Sequence, residues 1–223
     1  MNRRIRLILI AAFVLTVFFM FIAMFVNNGY VAGWEKGLFL WINHWPDALY
    51  IPMVGLQFLG VLLVPLVFTV GALFWTRYSL AVMFAMIIPL KISIEKMVKA
   101  YFERERPAKY IEETILRGDV QASGLSFFSG HAFIVSAVAV LMFPYLKGWW
   151  RVVSITLVLF CSLARIYLGA HLPLDVIAGI LAGATTACLI LLVKELVKIG
   201  KFSLIMRQAT TQKERHPYTF VRY

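Results

Sequence analysis

Long apolar stretches alternate with short polar segments along most of the chain. A helix needs roughly 20 apolar residues to cross a bilayer, and the backbone groups of such a segment must bond within the helix. The pattern therefore predicts an all-α polytopic membrane protein with six transmembrane helices in one bundle. The predicted spans are residues 5–26, 51–75, a third span from Tyr78 past Pro89, and then 131–146, 152–168 and 174–193.

The segment between the first two spans is rich in aromatic residues. Residues 27–50 include Trp34, Phe39, Trp41 and Trp45, and amphipathic rings collect at the headgroup level of a membrane. We expect a short interfacial helix here, without a catalytic role. The apolar run before it is longer than the core of a signal peptide and lacks a small-residue cleavage pattern, so we expect a retained first helix.

Composition supports the membrane class. Hydrophobic residues make up 61% of the 223 residues and charged residues only 15%, whereas about 25% are charged in a typical soluble domain. The net charge of +11 arises from basic residues at helix ends and in the tail, which favours a membrane partner over nucleic acid. Cys161 and Cys188 lie inside apolar runs and are expected to be packing residues.

The basic residues also predict an orientation. Arg77, Lys147, Arg151 and the C-terminal basic residues fall on the side of the N-terminal arginines, which the positive-inside rule makes cytoplasmic. We expect a six-helix domain over residues 1–200, followed by a polar cytoplasmic tail over residues 201–223. Small size and the minimal six-span layout suggest a bacterial cytoplasmic membrane.

Three polar clusters interrupt the apolar pattern. They are Lys99 to Arg106-Pro107, then Ser129-Gly130-His131, and then Arg165 with His171 and Asp175. The number of crossings between them places all three clusters on one face of the membrane. The orientation above makes this the outer face.

The residue types of these clusters suit a multiply charged anion. Arginine binds phosphate oxygens in bidentate fashion and lysine adds a point charge, so Lys99, Arg106 and Arg165 form a candidate anion site. Ser129 and Gly130 precede a predicted helix, whose N-terminal N–H groups favour anions. The list of candidate phosphate-binding residues is Lys99, Arg106, Ser129, Gly130 and Arg165.

Two histidines and an aspartate supply candidate catalytic groups. Asp175 follows His171 by four residues, and a carboxylate beside an imidazole fixes its tautomer and leaves the other nitrogen free to attack. His131 lies next to the anion-binding Ser-Gly and could protonate a leaving alkoxide as a general acid. His171, His131 and Asp175 are therefore the predicted catalytic residues.

The motifs Lys-x6-Arg-Pro, Ser-Gly-His and Arg-x5-His-x3-Asp together resemble the type 2 phosphatidic acid phosphatase family, which is itself similar to vanadium haloperoxidases. The resemblance covers about Lys99 to Leu181, within an expected catalytic core over residues 91–181. It implies a phosphohistidine intermediate at His171 supported by Asp175, with His131 as the acid. It also implies that neither a metal nor another cofactor is required.

The chain departs from the family pattern at two positions. Phe128 replaces a proline before Ser-Gly-His, and Ala164 replaces a serine before Arg165. The first change bears on the geometry of the loop, and the second removes a hydroxyl donor. Four charged residues match no family position and are expected to be solvated: Glu95, Glu103, Arg104 and Glu105.

The resulting hypothesis is a membrane lipid phosphate phosphatase. Undecaprenyl diphosphate, phosphatidylglycerophosphate and phosphatidic acid are candidate substrates, and the outer-face orientation favours recycling of a carrier. The alternatives are a phosphotransferase of the same fold, an anion transporter or binding protein, and a metal hydrolase that uses His131, His171 and Asp175 as ligands.

Overall fold

The computed structural model of the chain describes residues 2–26 and 31–215, with side chains through residue 200. The regular elements within these residues are helical, as the apolar pattern predicted. The helices are α1 (Arg3–Val26), α2 (Gly33–Asn43), α3 (Tyr50–Gln57), α4 (Leu63–Phe74), α5 (Tyr78–Phe102), α6 (Pro107–Tyr110), α7 (Gly130–Met142), α8 (Trp150–Tyr167) and α9 (Pro173–Arg215).

Helix α9 is the centre of the bundle. It packs along both α1 and α7, while α7 also contacts α5 and α8. Glycines permit the close approach of α7 and α9, because a Cβ at Gly183 would overlap the carbonyl oxygen of Phe133 and one at Gly179 would overlap that of Ser129. This contact brings the beginning of α7 directly against the first turns of α9.

The surface of the bundle is apolar where lipid would cover it. On α1, Phe13 is 69% exposed and Met24 76% exposed, whereas soluble proteins rarely expose such continuous apolar surface. Together with its long apolar helices, this identifies a membrane protein.

Three described helices are long and apolar enough to cross a membrane: Arg3–Val26, Trp150–Tyr167 and the Pro173–Gly200 part of α9. The six predicted spans are therefore only partly reproduced. Helix α7 has 13 residues and is about 20 Å long, shorter than the hydrocarbon core. The second half of α5 carries Lys91, Glu95, Lys96 and Lys99, which lowers its hydropathy.

The predicted second span is broken rather than continuous. The segment Asp47–Gly60 meets Leu63–Phe74 at a bend of 57°, with Val61 in an extended conformation between them. The pair can form one bent span. The break places Gln57 and Gly60 inside the bundle, where both are buried.

The predicted interfacial segment contains α2, whose inner face is buried against α8 and α9 through Glu35 and Phe39. At the other end of the chain, the backbone of residues 201–215 continues α9 as a helix. The rest of the predicted tail, residues 216–223, lies outside the described residues. A separate polar tail beginning at residue 201 stays a prediction.

Candidate active site

All three polar clusters meet at one end of the bundle. Lys99 lies in the last turn of α5, Gly130 begins α7, and His171 lies in the loop between α8 and α9. The backbone N–H of Ser129 donates to the carbonyl oxygen of Asp175 over 2.9 Å. This bond ties the second cluster to the third.

His171 and Asp175 form a pair across the beginning of α9. His171 Nδ1 lies 3.8 Å from Asp175 Oδ2, somewhat longer than a hydrogen bond, and Oδ2 also accepts the N–H of Leu172 at 2.9 Å. Because Nδ1 faces the carboxylate, Nε2 is the nitrogen left for chemistry. Burial lowers the pKa of His171 to about 4, with Asp175 opposing the shift, so the ring is neutral near pH 7.

The beginning of α7 has the properties of an anion-binding helix terminus. Ser129 is the N-cap residue, yet its side chain makes no capping bond, and its buried Oγ has no protein partner. A Cβ on Gly130 would lie 2.9 Å from Glu95 Oε1 and 3.1 Å from Lys91 Nζ. Glycine therefore allows charged groups of α5 to approach the N–H groups of this helix closely.

Three predicted cations surround this helix terminus. Arg165 is buried and donates through Nη1 to Gln57 Oε1. Arg106 donates to the carbonyl of Gln121 over 3.1 Å. Lys99 pairs with Glu95 at 2.8 Å.

His131 lies among these cations. It is within electrostatic range of Arg165, His171 and Arg106. Its backbone and Cβ pack against Gly60, where an added Cβ would lie 2.6 Å from that of His131. The break between α3 and α4 thus packs directly against the candidate acid.

Buried polar atoms without a partner are concentrated at this end. Among the described residues, seven buried side-chain N or O atoms have no hydrogen-bond partner in the protein, and five belong to Arg104, Arg106, Ser129, Arg165 and His171. Buried polar groups are normally satisfied. Three of these groups, on Arg106, Ser129 and Arg165, are suited as donors to the oxygens of a bound phosphate.

Of the residues that we expected to be solvated, Arg104 is buried and Glu95 is largely shielded from solvent. Arg104 is fully buried and pairs with Asp175 at 2.7 Å and Glu35 at 2.6 Å. Glu95 is only 16% exposed and bridges Lys91, at 2.6 Å, and Lys99. The run Glu103-Arg104-Glu105-Arg106 reads as one charged loop in the sequence, and only the fold distinguishes Arg104 from its neighbours.

Sequence reasoning also missed Glu35 and Gln57. Glu35 lies on α2, in the segment for which no catalytic role was expected, and its carboxylate accepts the N–H of Leu174 at 3.0 Å. Gln57 holds Arg165. Each is far from the motifs in sequence, and the only available signal was a polar residue within a largely apolar segment.

The two departures from the family pattern are accommodated by packing. Phe128 is fully buried and stacks on Phe133 with ring centroids 5.5 Å apart. Its neighbour Phe127 packs on Phe102 at 4.8 Å. Aromatic contacts thus hold the loop before Ser129, where a proline would restrict it by its ring. Ala164 is fully buried within the core beside α2.

The metal-hydrolase alternative gains no support from the donor geometry. Within the part of the chain that the structure describes, no three His, Cys, Asp or Glu side chains are arranged to hold one metal ion. Asp175 is instead committed to Arg104 and to the N–H of Leu172.

Comparison with known proteins yields one family. The family model described as the PAP2 superfamily matches residues 74–198, more than half of the chain. An undecaprenyl-diphosphatase of Sulfolobus acidocaldarius is 30% identical over 118 residues, which are 53% of this chain and 57% of that protein. The chain thus spans little more than half the length of this curated relative.

Two solved structures share the fold. LpxE of Aquifex aeolicus superposes with a TM-score of 0.66 at 22% identity, over 74% of this chain and 98% of that one. A transmembrane PAP2 type phosphatidylglycerolphosphate phosphatase of Bacillus subtilis superposes with a TM-score of 0.71 at 21% identity, over 83% and 96% of the two chains. At these identities the likeness establishes the architecture.

Proposed function

Because this chain belongs to the PAP2 superfamily, as its three motifs predicted, we propose that it is a membrane hydrolase that releases phosphate from a lipid phosphate. The observation that carries the proposal is the set of unpaired donors beside His171. Ser129 Oγ, Arg106 Nε and Arg165 Nε are buried without a protein partner around the N-terminus of α7. A tetrahedral phosphoryl group would satisfy all three.

In the proposed first step, His171 Nε2 attacks the phosphorus atom. A P–N bond forms as the P–O bond to the lipid breaks, and His131 donates a proton to the departing oxygen. Lys99, Arg106 and Arg165 stabilise the charge on the equatorial oxygens. Asp175 stabilises the positive charge that develops on the imidazole.

In the second step, water replaces the histidine. His131, now neutral, accepts a proton from the attacking water as the P–N bond breaks. Inorganic phosphate leaves, and both histidines return to their starting states. Each step uses groups of this chain alone, and we propose that no metal ion takes part.

The headgroup level of the membrane is the proposed position of the scissile bond. We propose six spans, counting α5, α7 and the bent pair of α3 and α4, with α2 in the interface. Both termini and a polar tail from residue 201 would then be cytoplasmic, and the site would face outward. Labelling of Asp119→Cys by a membrane-impermeant maleimide tests this orientation, because the native Cys161 and Cys188 are buried.

The candidate substrates share a phosphate group and differ in the lipid that carries it. We propose undecaprenyl diphosphate and phosphatidylglycerophosphate as the first substrates to test, since one relative is named for the former and one solved structure for a phosphatase of the latter. Phosphatidic acid is the third. The cradle residues contact phosphate oxygens, so the lipid moiety must be selected elsewhere.

The decisive experiment measures phosphate release by purified protein in detergent with a chelator present. Each of the three lipids is offered to the wild type, to His171→Ala and to His44→Ala. His44 is an exposed histidine that bonds only its own helix, so its loss controls for histidine replacement. Release that vanishes only in His171→Ala supports the proposal, as does a phosphoenzyme that is stable in alkali and labile in acid.

Other outcomes redirect the proposal. Release that disappears in chelator and returns with a divalent metal would contradict the metal-independent mechanism. Phosphate transfer to an added alcohol in preference to water would identify a phosphotransferase. Folded wild-type protein that releases no phosphate from any of the three lipids would refute the phosphatase for these substrates.

A further inference from the structure

Arg104 is the most deeply buried cation near the site. Its side chain is fully buried. The residue before it, Glu103, has a left-handed backbone conformation (φ 46°) that ends α5. Nη1 lies 2.7 Å from Asp175 Oδ1, and Nη2 lies 2.6 Å from Glu35 Oε2. Both carboxylates are themselves fully buried. Three charges from α2, the loop after α5, and α9 thus form one continuous chain.

The backbone around Arg104 is also fixed. Its carbonyl oxygen accepts the N–H of Ser126 at 2.7 Å, and Arg106 N–H donates to the carbonyl of Gly124 at 3.1 Å. The guanidinium therefore extends from a segment that is held on both sides of Arg104. Its Nη1 and Nη2 are both engaged by buried carboxylates, which distinguishes it from the cations of the cradle.

The two oxygens of Asp175 have different partners. Oδ1 accepts from Arg104, whereas Oδ2 accepts from Leu172 N–H and faces His171 Nδ1. Because a carboxylate is planar, the bond at Oδ1 determines where Oδ2 points. Glu35 is the other carboxylate of the triad, and it accepts the N–H of Leu174 in the first turn of α9, next to Asp175.

Stability alone does not account for this chain of charges. Removing charged groups from water is costly, and well-packed apolar residues often replace a buried ionic triad without loss. The net charge of the triad formed by Glu35, Arg104 and Asp175 is −1, from two carboxylates and one guanidinium. A neutral pair of Arg104 with Asp175 would provide less stabilisation to a cationic imidazole than this negatively charged triad does.

The electrostatic shifts agree with a charged triad. Burial opposes the charge on Arg104, but Asp175 and Glu35 outweigh it and raise the pKa of the guanidinium. Burial raises the pKa of Glu35, while Arg104 and the N–H of Leu174 oppose the rise. Arg104 thus favours the ionised form of Glu35 against the effect of burial.

We propose that Arg104 and Glu35 are positioning residues for the reaction: Arg104 fixes the orientation of Asp175, and Glu35 maintains the net negative charge that supports His171. This inference rests on the proposed function of His171 as the nucleophile. It also makes α2 a structural part of the active site. Neither residue touches the phosphate.

Variants can separate the orientation of Asp175, which we assign to Arg104, from the net charge of the triad, which we assign to Glu35. The charged or titratable groups within electrostatic range of His171 are Asp175, Arg165, Lys99 and His131. Arg104 and Glu35 are linked to it through Asp175. Glu35→Gln changes the triad from −1 to 0 and keeps the shape. The double variant Glu35→Gln with Arg104→Met restores −1 but removes the bonds to Asp175.

The closing experiment measures the pKa of His171 by NMR of ¹⁵N-histidine-labelled protein in detergent, alongside the pH profile of kcat. Glu35→Gln should lower the His171 pKa and shift the acid limb to lower pH, because a negative neighbour is lost. The double variant should return both toward the wild-type values. Its kcat should stay about 10²-fold low, as misplacement by about 1 Å produces, with KM within about threefold of the wild type.

Conservative and remote variants complete the design. Arg104→Lys keeps the charge and one donor, so it should recover most of the kcat that the double variant loses. Arg117→Met is the matched control, because Arg117 is likewise buried and donates to the carbonyls of Asn43 and Tyr167 rather than to Asp175. It should lower the thermal midpoint and leave the His171 pKa and acid limb unchanged.

Each failure is distinguishable. A His171 pKa that is the same in wild type and Glu35→Gln, or that shifts equally in Arg117→Met, would overturn the positioning proposal whatever the activity. A kcat for the double variant within threefold of wild type would also overturn it. If the wild type releases no phosphate, the proposed function fails, and the NMR measurement still decides whether the triad controls His171.

Discussion

Gly179 lies at the closest approach of the two helices that form the site. It is one turn beyond Asp175 on α9, and a Cβ there would overlap the carbonyl oxygen of Ser129 and lie 3.0 Å from Ala132 Cβ. Both obstacles belong to α7, and neither is the end of a flexible side chain. Gly179→Ala must therefore separate the beginning of α7 from α9.

The expected effect follows from that displacement. Non-bonded carbon atoms prefer about 3.5–4.0 Å, so relief of the overlap requires movement of about 1 Å. A shift of this size in catalytic geometry can cost about 10²-fold in rate, and overpacking a well-packed interior costs about 1–3 kcal/mol. We expect Gly179→Ala to remain folded and to lose about 10²-fold in kcat.

Phosphate release and thermal unfolding in detergent, measured together, test this expectation. Gly55→Ala is the matched control, since Gly55 lies in α3 with no atom within 4 Å of an added Cβ. Gly183→Ala introduces a similar overlap with Phe133 and Ser136 one turn further from the site, and should affect stability more than kcat. A Gly179→Ala variant with wild-type kcat and stability would refute the close packing of α7 on α9.

Three further predictions concern the site itself. Arg165→Lys should reduce kcat/KM about 10²–10³-fold in the phosphate-release assay, because one planar donor set is lost; a loss under tenfold would contradict its place in the cradle. Glu95→Gln should strengthen inhibition by inorganic phosphate, since Lys91 and Lys99 lose their competing carboxylate, and weaker inhibition would argue against this. The lowered pKa of His171 predicts an acid limb of the activity profile near pH 4. Because the pKa of His171 in the folded state lies below the unfolded value of about 6.5, the contribution of this histidine to stability is complete above pH 6.5 and is lost as pH falls through 4. The free energy of unfolding of wild type and His171→Asn, measured across this pH range, checks the prediction.

Local features of the sequence determined the class of protein and the chemical parts of the site. Apolar runs in a chain with 61% hydrophobic residues require lipid and therefore helices, since backbone groups cannot remain unpaired there. The motifs around Lys99, Ser129 and His171 were recognisable because phosphate chemistry needs cations, a helix terminus and an imidazole at set spacings. Counting crossings predicted that they share one face, and the structure brings them together at one end of the bundle.

The number of spans was harder to determine from the sequence. Hydropathy drew residues 51–75 as one helix, but the bend between α3 and α4 depends on packing of Gly60 against His131. Helix α7 is shorter than the predicted fourth span. Its central position depends on contacts with α5, α8 and α9, which no local pattern encodes.

The partners of the predicted residues were decided by the tertiary structure alone. Glu35 and Asp175 are 140 positions apart in the chain, yet both bind Arg104. Arg104 itself has the same local sequence environment as the exposed Glu103. Whether a charge in such a run is solvated or buried depends on which distant carboxylates the fold brings to it, because only a paired charge can be buried at acceptable cost. Sequence therefore determined which groups are proposed to do the chemistry, and the fold decided which groups hold them in place.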